Sequence, residues 1–235
     1  NRDRHRDGNA GHQALKGMTM KLKFALFCVL TATVALPALA QSKAVEPPGG
    51  KYAKEAEQVF RDSFRADNPK YWMTRIEQDE TMRTCGLYRD NPPRKIGQQL
   101  EKLNRATIRY PVDGKLVGDW KEGEKLAAVG TGGHIGFIQP DPPGRVRGGN
   151  CYACHELAKK ELAYGTIGPS LSHYGKLRGN SEEIVKYTYD KIYNSNAFTA
   201  CTNMPRFGLH NWLTPEQITH IVAFLVDPES PVNKD

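Results

Sequence analysis

The sequence predicts an all-α fold, and three observations carry that expectation. Thr214 and Gln217 stand at the spacing of a capping box, with Pro215 at the first helical position. Ile218, Ile221, Val222 and Leu225 then form one apolar stripe, closed by Pro228. Other apolar residues recur at helical spacing, and no segment alternates convincingly with the period of a half-buried strand. With 22 Gly and 15 Pro in 235 residues, the connections should be long. No internal repeat or low-complexity tract interrupts the pattern.

At the N-terminal end, Lys21 and Lys23 precede an apolar run from Phe24 to Leu36, and Ala38-Leu39-Ala40 supplies small residues. That layout is a secretory signal peptide, with cleavage expected between Ala40 and Gln41. The run is about 13 residues, too short to span a bilayer comfortably. Cys28 sits mid-run with no small-residue motif before it, which argues against lipidation there. The polar residues before Met18 and Met20 read as sequence upstream of a start, or as an over-long leader.

The formal net charge of +7 would point to a nucleic-acid partner if it belonged to one mature surface. It does not. Residues 1–40 hold six basic and two acidic side chains, so the remainder carries 27 basic and 24 acidic ones, a net of +3. Neither a nucleic-acid partner nor a membrane span is expected after cleavage. Four of the five cysteines remain, facing an oxidising compartment.

The mature chain divides into a helical N-terminal extension, 41–115, and a C-terminal domain, 116–235. After the Pro/Gly-rich lead 41–50, Ala56, Val59, Phe60, Ser63 and Phe64 predict a helix over Tyr52 to Arg65. A second helix should open with Asn91 as N-cap and Pro92 at its first position, placing Ile96, Leu100 and Leu103 on one face. Two helices bury little apolar area, so the extension must dock on its own domain or on a partner. A short helix follows from Trp120 to Val129, ending at Gly130, then the Gly-rich loop Thr131–His134 and the Pro/Gly-rich stretch Pro140–Gly149. Asn150 is expected to cap a helix beginning at Cys151. A further helix runs from about Ser181 to Asn194, with Val185, Tyr189 and Ile192 on one side.

The chemistry concentrates at Cys151-Tyr152-Ala153-Cys154-His155, the C-x-x-C-H attachment sequence for one covalent haem c. Residues three apart on one helical turn present both thiols to the vinyl groups of one porphyrin. The next residue brings its imidazole under the iron as proximal ligand. The alternatives are a redox dithiol, which would need a βαβ context, or half a zinc site, which lacks a second Cys/His pair at suitable spacing. Candidates for the sixth ligand are Met204, His173, His210, His220 and Cys201. Met204 is the last methionine in the chain, and Pro205 after it favours an extended backbone, suiting a loop that lays a thioether on iron. A thioether ligand raises the potential, as in electron-transfer cytochromes. His210 and His220 read as solvated surface histidines.

From about Asp119 to Pro228 the sequence resembles a class I cytochrome c. The resemblance implies that a proline carbonyl downstream of the motif orients the proximal imidazole, and Pro169 in Gly168-Pro169 is the matching residue. It also implies that the first helix of the domain packs against the last through small residues, here Gly123 and Ala127. Gly148-Gly149-Asn150, Ile192–Ala197, Asn203–Gly208 and Leu213–Ile218 narrow the resemblance to the SoxX family, over most of the C-terminal 115 or so residues. Those relatives are mono-haem subunits of the SoxAX cytochrome of bacterial sulfur oxidation.

That likeness implies a periplasmic heterodimer with a SoxA-like haem subunit, coupling thiosulfate to a cysteine of the carrier SoxYZ and passing electrons to an acceptor cytochrome. It implies no catalytic residue in this chain, which would be a haem-bearing subunit of an L-cysteine S-thiosulfotransferase. The alternatives are a free-standing class I carrier and a haem-free thiol or zinc protein. Cys85 and Cys201 are left over in even number, and an oxidising compartment predicts a disulfide between them. It would staple the extension to the Met204 loop. Two unrelated thiols, or Cys201 as an occasional iron ligand, are the other readings.

Overall fold

The computed structural model describes residues 52–63, 77–131, 142 and 144–234. The segment expected to be a signal peptide, Phe64, Arg65 and Gly132–His134 lie outside the described residues. Among the described residues seven helices follow in chain order: α1 (Ala53–Ser63), α2 (Glu80–Tyr88), α3 (Arg94–Arg105), α4 (Trp120–Ala128), α5 (Tyr174–Arg178), α6 (Glu182–Tyr193) and α7 (Pro215–Val226). Single 3₁₀ turns lie at Cys151–Ala153, Ser195–Ala197 and Pro231–Asn233. No strand occurs among the described residues.

α7 forms the centre. Its capping box closes reciprocally: Gln217 N–H donates to Thr214 Oγ1 at 3.2 Å, and Thr214 N–H donates to Gln217 Oε1 at 2.9 Å. From Ile218 onward every α7 residue except His220 is buried, so the helix is apolar nearly all round and must be covered on several sides. α4 crosses it at Gly123, where a Cβ would overlap the His220 carbonyl and crowd Phe224. Only glycine permits that backbone approach. α6 packs on another flank, bringing Tyr189 and Ile192 into the same core as Phe224 and Leu126.

His220 is not the solvated histidine expected. It is partly buried, and its Nδ1 accepts a hydrogen bond of 2.8 Å from the Asp119 backbone N–H at the start of α4. Asp119 in turn caps α4, its Oδ1 accepting from Lys121 N–H at 2.7 Å. The imidazole therefore anchors the crossing of the two helices. α4 ends at Ala128, one residue before the expected limit, because Val129 is already extended.

In the extension, the described side chains of α1 are exposed, whereas α2 and α3 dock on the rest of the chain. α3 begins at Arg94, not at Pro92. Pro93 pushes the residue before it out of the helical region, so Pro92 cannot start a helix, and Asn91 N–H instead bonds the Tyr88 carbonyl to finish α2. α2 itself has a weak sequence signal, ETMRTCGLY, with two threonines and a glycine in nine residues. It forms because Asp79 caps it and because Thr81 and Cys85 are buried against the domain.

The joint between extension and domain is polar. Asn104 Nδ2 donates to Thr81 Oγ1 at 2.9 Å, and Asn194 Nδ2 donates to Asn104 Oδ1 at 3.0 Å and to Thr107 Oγ1 at 2.9 Å. Asn104 and Asn194 are fully buried, and the pairing offsets their desolvation. Arg105 adds a hydrogen bond of 2.7 Å to the Ala197 carbonyl.

Candidate functional site

The Cys151–His155 segment is placed by the end of α4. Gly149 N–H donates to the Leu126 carbonyl at 2.8 Å and Asn150 N–H to the Val129 carbonyl at 3.0 Å, taking up acceptors left open at that helix end. Trp212 Nε1 donates to the Gly148 carbonyl at 2.7 Å and holds the same strand of chain from the other side. Asn150 lies in the left-handed region at φ 45°, with no side-chain cap.

The expected helix at Cys151 is only one 3₁₀ turn, and the carbonyls explain why. Those of Tyr152, Cys154 and Glu156 accept from the amides of Gly165, Gly168 and Leu171, each at 2.8 Å. A strap formed by residues 165–171 takes acceptors that a continuing helix would need. One turn still leaves Cys151 and Cys154 on the same side, both as free thiols.

The strap also fixes the imidazole. His155 Nδ1 lies 2.7 Å from the Pro169 carbonyl oxygen. That oxygen can only accept, so Nδ1 carries the hydrogen and the Nε2 lone pair is left for a metal. A Cβ on Gly168 would overlap the His155 ring, so the glycine lets the backbone press against the imidazole face. On the same strap-bearing loop, Leu162 and Ile167 are 89% and 76% exposed, an apolar pair that a flat hydrophobic group would cover.

Burial, reinforced by neighbouring Cys154, pushes the Cys151 thiol up to about 12. A redox dithiol favours the opposite, a thiol lowered toward neutrality, and the βαβ context it would need has no strand among the described residues. A zinc site fares no better. Among the described residues, the grouping with metal-ligand spacing is Cys85, Asp90 and Cys201, which excludes the motif altogether, and two of its members are joined in a disulfide. The donor set at the motif, two thiols, a tautomer-locked imidazole and an apolar surround, fits a covalently held haem.

Met204 lies in the loop after α6. Its carbonyl accepts from Ser195 Oγ at 2.5 Å, and its amide donates to Thr202 Oγ1 at 3.3 Å. The side chain is half-buried against the core. A cleft of about 380 Å³ is lined by Gly148, Gly149 and Asn150, just before the motif, and by Pro205, Arg206, Phe207, His210 and Trp212, while Met204 itself lines a neighbouring cleft with Cys85, Cys201 and Arg206. Of the competing histidines, His210 lines both clefts, and His173 and His220 line neither. His220 is engaged at the α4–α7 crossing, His173 heads α5 with its amide bonded to the Val232 carbonyl at 2.8 Å, and His210 is exposed.

Cys85 in α2 and Cys201 form a disulfide with Cα atoms 5.3 Å apart and a sequence separation of 116. A second contact from the extension escaped sequence reasoning: Asp79 Oδ2 pairs with Arg206 at 2.6 Å, and Arg206 is buried. The aspartate's place before Glu80 marks it as a helix cap, but nothing in the sequence pairs it with Arg206.

The cytochrome c family model matches residues 146–227, the stretch that holds the motif, the strap, the Met204 loop and all of α7. This is a cytochrome c-domain protein. A protein of Aquifex aeolicus (strain VF5) named "Uncharacterized lipoprotein" is 38% identical over 218 residues, covering 92% of this chain and 100% of that protein, and the chain belongs to its family. The fold is the all-α class I cytochrome c fold, and a cytochrome c domain implies covalently bound haem c and an electron-carrying role. At least part of the extension lies within the 218 matched residues, so it is a shared portion of the family. No described helix is long and apolar enough to cross a membrane.

Proposed function

We propose that the chain binds one haem c, through Cys151 and Cys154, with His155 and Met204 as axial ligands, and serves as the SoxX-like electron-accepting subunit of a periplasmic SoxAX-type cytochrome. The observation that carries the haem assignment is the His155–Pro169 hydrogen bond, which fixes the tautomer that presents Nε2. Bound haem c supplies a one-electron couple. The chain's residues do the rest: the thiols tether, the strap orients the imidazole, and the Met204 loop offers a thioether that favours the reduced state.

The SoxX reading rests on the Gly148–Asn150, Ile192–Ala197, Asn203–Gly208 and Leu213–Ile218 phrases, together with the way the extension is built into the domain. A small diffusing carrier needs only the haem domain, whereas here α2 and α3 are pinned to the loop after α6 by a disulfide and buried amides. The partner is a SoxA-like cytochrome subunit, the carrier SoxYZ is reached through the complex, and an acceptor cytochrome takes the electrons. No catalytic residue is assigned to this chain.

For location, the leader-like segment before Gln41 and the relative's printed name both support export. That name speaks of a lipid, but here Phe27 precedes Cys28 where a small residue would be needed, so the product proposed is a soluble periplasmic protein. Intact-mass analysis of protein exported from its native host tests both points. A mass equal to residues 41–235 plus one haem supports them, and a lipid mass on Cys28 overturns the location proposal.

The functional test is affinity capture of the tagged, haem-loaded chain from cells growing on thiosulfate. Stoichiometric recovery of a second haem subunit, and thiosulfate-dependent reduction of the haem only when that subunit and SoxYZ are present, support the assignment. A persistently monomeric haem protein with no such reduction favours the free-standing carrier.

A further inference from the structure

The geometry points to α2 as a two-point clamp on the sixth-ligand loop, with Asp79 acting as a positioning residue for Met204 through Arg206. This rests on the reading of Met204 as an axial ligand.

The clamp grips the loop on both sides of the methionine. Before it, Cys201 is bonded to Cys85 of α2 and is held in the left-handed region at φ 61°, a conformation that a non-glycine residue keeps only under restraint. After it, the Arg206 guanidinium is 7% exposed and meets Asp79 Oδ2 at 2.6 Å. The same carboxylate does a second job, its Oδ1 accepting from Met82 N–H at 2.8 Å to start α2. Asp79 and Cys85 are therefore locked to one rigid element, about 9 Å apart along its axis at the helical rise of about 1.5 Å per residue. Between the two grips, Ser195 holds the Met204 carbonyl.

A buried guanidinium needs its counter-charge. Without Asp79 the buried guanidinium is left uncompensated, which favours conformations of the loop that expose it and carry Pro205 and Met204 with it. Proline transmits that displacement because its ring fixes φ. The imidazole of His155 is oriented without the extension, by the strap of residues 165–171, and the segment before the motif is held by α4 and Trp212.

Asp79→Asn separates the two jobs of the carboxylate, because asparagine caps a helix as well as aspartate does but brings no charge to Arg206. The test uses the full, haem-loaded ferric protein, with the Met-to-iron charge-transfer band and the rate of cyanide binding as readouts. The expected result for Asp79→Asn is a weakened band and cyanide binding faster by about tenfold, the scale of one charge-assisted hydrogen bond, with unchanged far-ultraviolet circular dichroism. Asp79→Glu should recover part of the difference, and reducing the disulfide in wild type should speed cyanide binding independently.

Met204→Ala keeps the two ideas distinguishable. If it abolishes the band while Asp79→Asn matches wild type in both readouts, the clamp is overturned and the ligand assignment stands. If Met204→Ala changes neither readout, the ligand assignment fails and the clamp with it. Should Asp79→Asn fold poorly, hydrogen exchange on the wild-type chain takes its place. Faster exchange of the 202–208 amides after disulfide reduction, with residues 151–171 unaffected, supports the clamp; equal exchange in both states overturns it.

Discussion

The two sides of the proposed haem site are built in opposite ways. The proximal side is mostly local: motif, strap, Gly168 and Pro169 lie within about twenty residues, joined by backbone bonds of 2.8 Å, with α4 and Trp212 holding the residues just before them. The distal side is assembled from afar, by a disulfide spanning 116 residues and an ion pair to a helix in the extension. A locally closed side forms as soon as its own segment folds. A side closed by distant contacts depends on the whole chain and can be loosened from the other end.

The largest expected effect is on the distal side. Paired Cys85→Ser and Cys201→Ser changes remove a cross-link worth about 4–5 kcal/mol in the chain-entropy picture, and should lower the unfolding free energy in urea accordingly. Haem attachment, read by mass, should persist. Loss of attached haem would mean that the two sides are not independent.

Gly168→Ala attacks the other side. Its methyl group must displace the His155 ring, at about 1–3 kcal/mol for an overpacked contact. Visible spectra should show disturbed His ligation with the Cys85–Cys201 disulfide intact. Next comes Thr214→Ala, which removes half of the α7 capping box and should cost about 1 kcal/mol in thermal unfolding without altering either ligand.

The smallest effect is pH-dependent. Asp79 loses solvent on burial, but the Met82 amide and Arg206, with His210 beyond them, outweigh that penalty and hold its carboxyl below the ordinary value of 3.8. A carboxyl lowered by folding stabilises the native state above its unfolded pKa, and that contribution disappears as pH falls through the lowered native value. The stability gap between wild type and Asp79→Asn should therefore be full at neutral pH and close progressively on acidification below about 4. Calorimetry across that range checks it, and a gap that widened in acid would reverse the sign of the interaction.

What the sequence disclosed follows the same division. The C-x-x-C-H spacing, Gly168-Pro169 and the α7 capping signals are short-range patterns, so their chemistry can be read from adjacent letters. The one-turn start at Cys151 was less legible, because it depends on strap amides competing for the motif's carbonyls. α2 was invisible, since its residues favour a helix only once Thr81 and Cys85 find partners in the folded domain. Asp79 and Arg206 could not be paired from sequence, as nothing in either neighbourhood names the other. His220 looked like a surface residue because its partner is a backbone amide on another helix.

The disulfide has a topological consequence too. It makes residues 85–201 a covalent ring, and the haem-bearing motif lies inside that ring. A protease that cuts anywhere between Gly86 and Ala200 therefore opens the ring without dividing the molecule. On a gel the nicked protein runs as one haem-staining band until a reductant separates it. Domain and extension would travel together after a cleavage that parts an ordinary two-part chain.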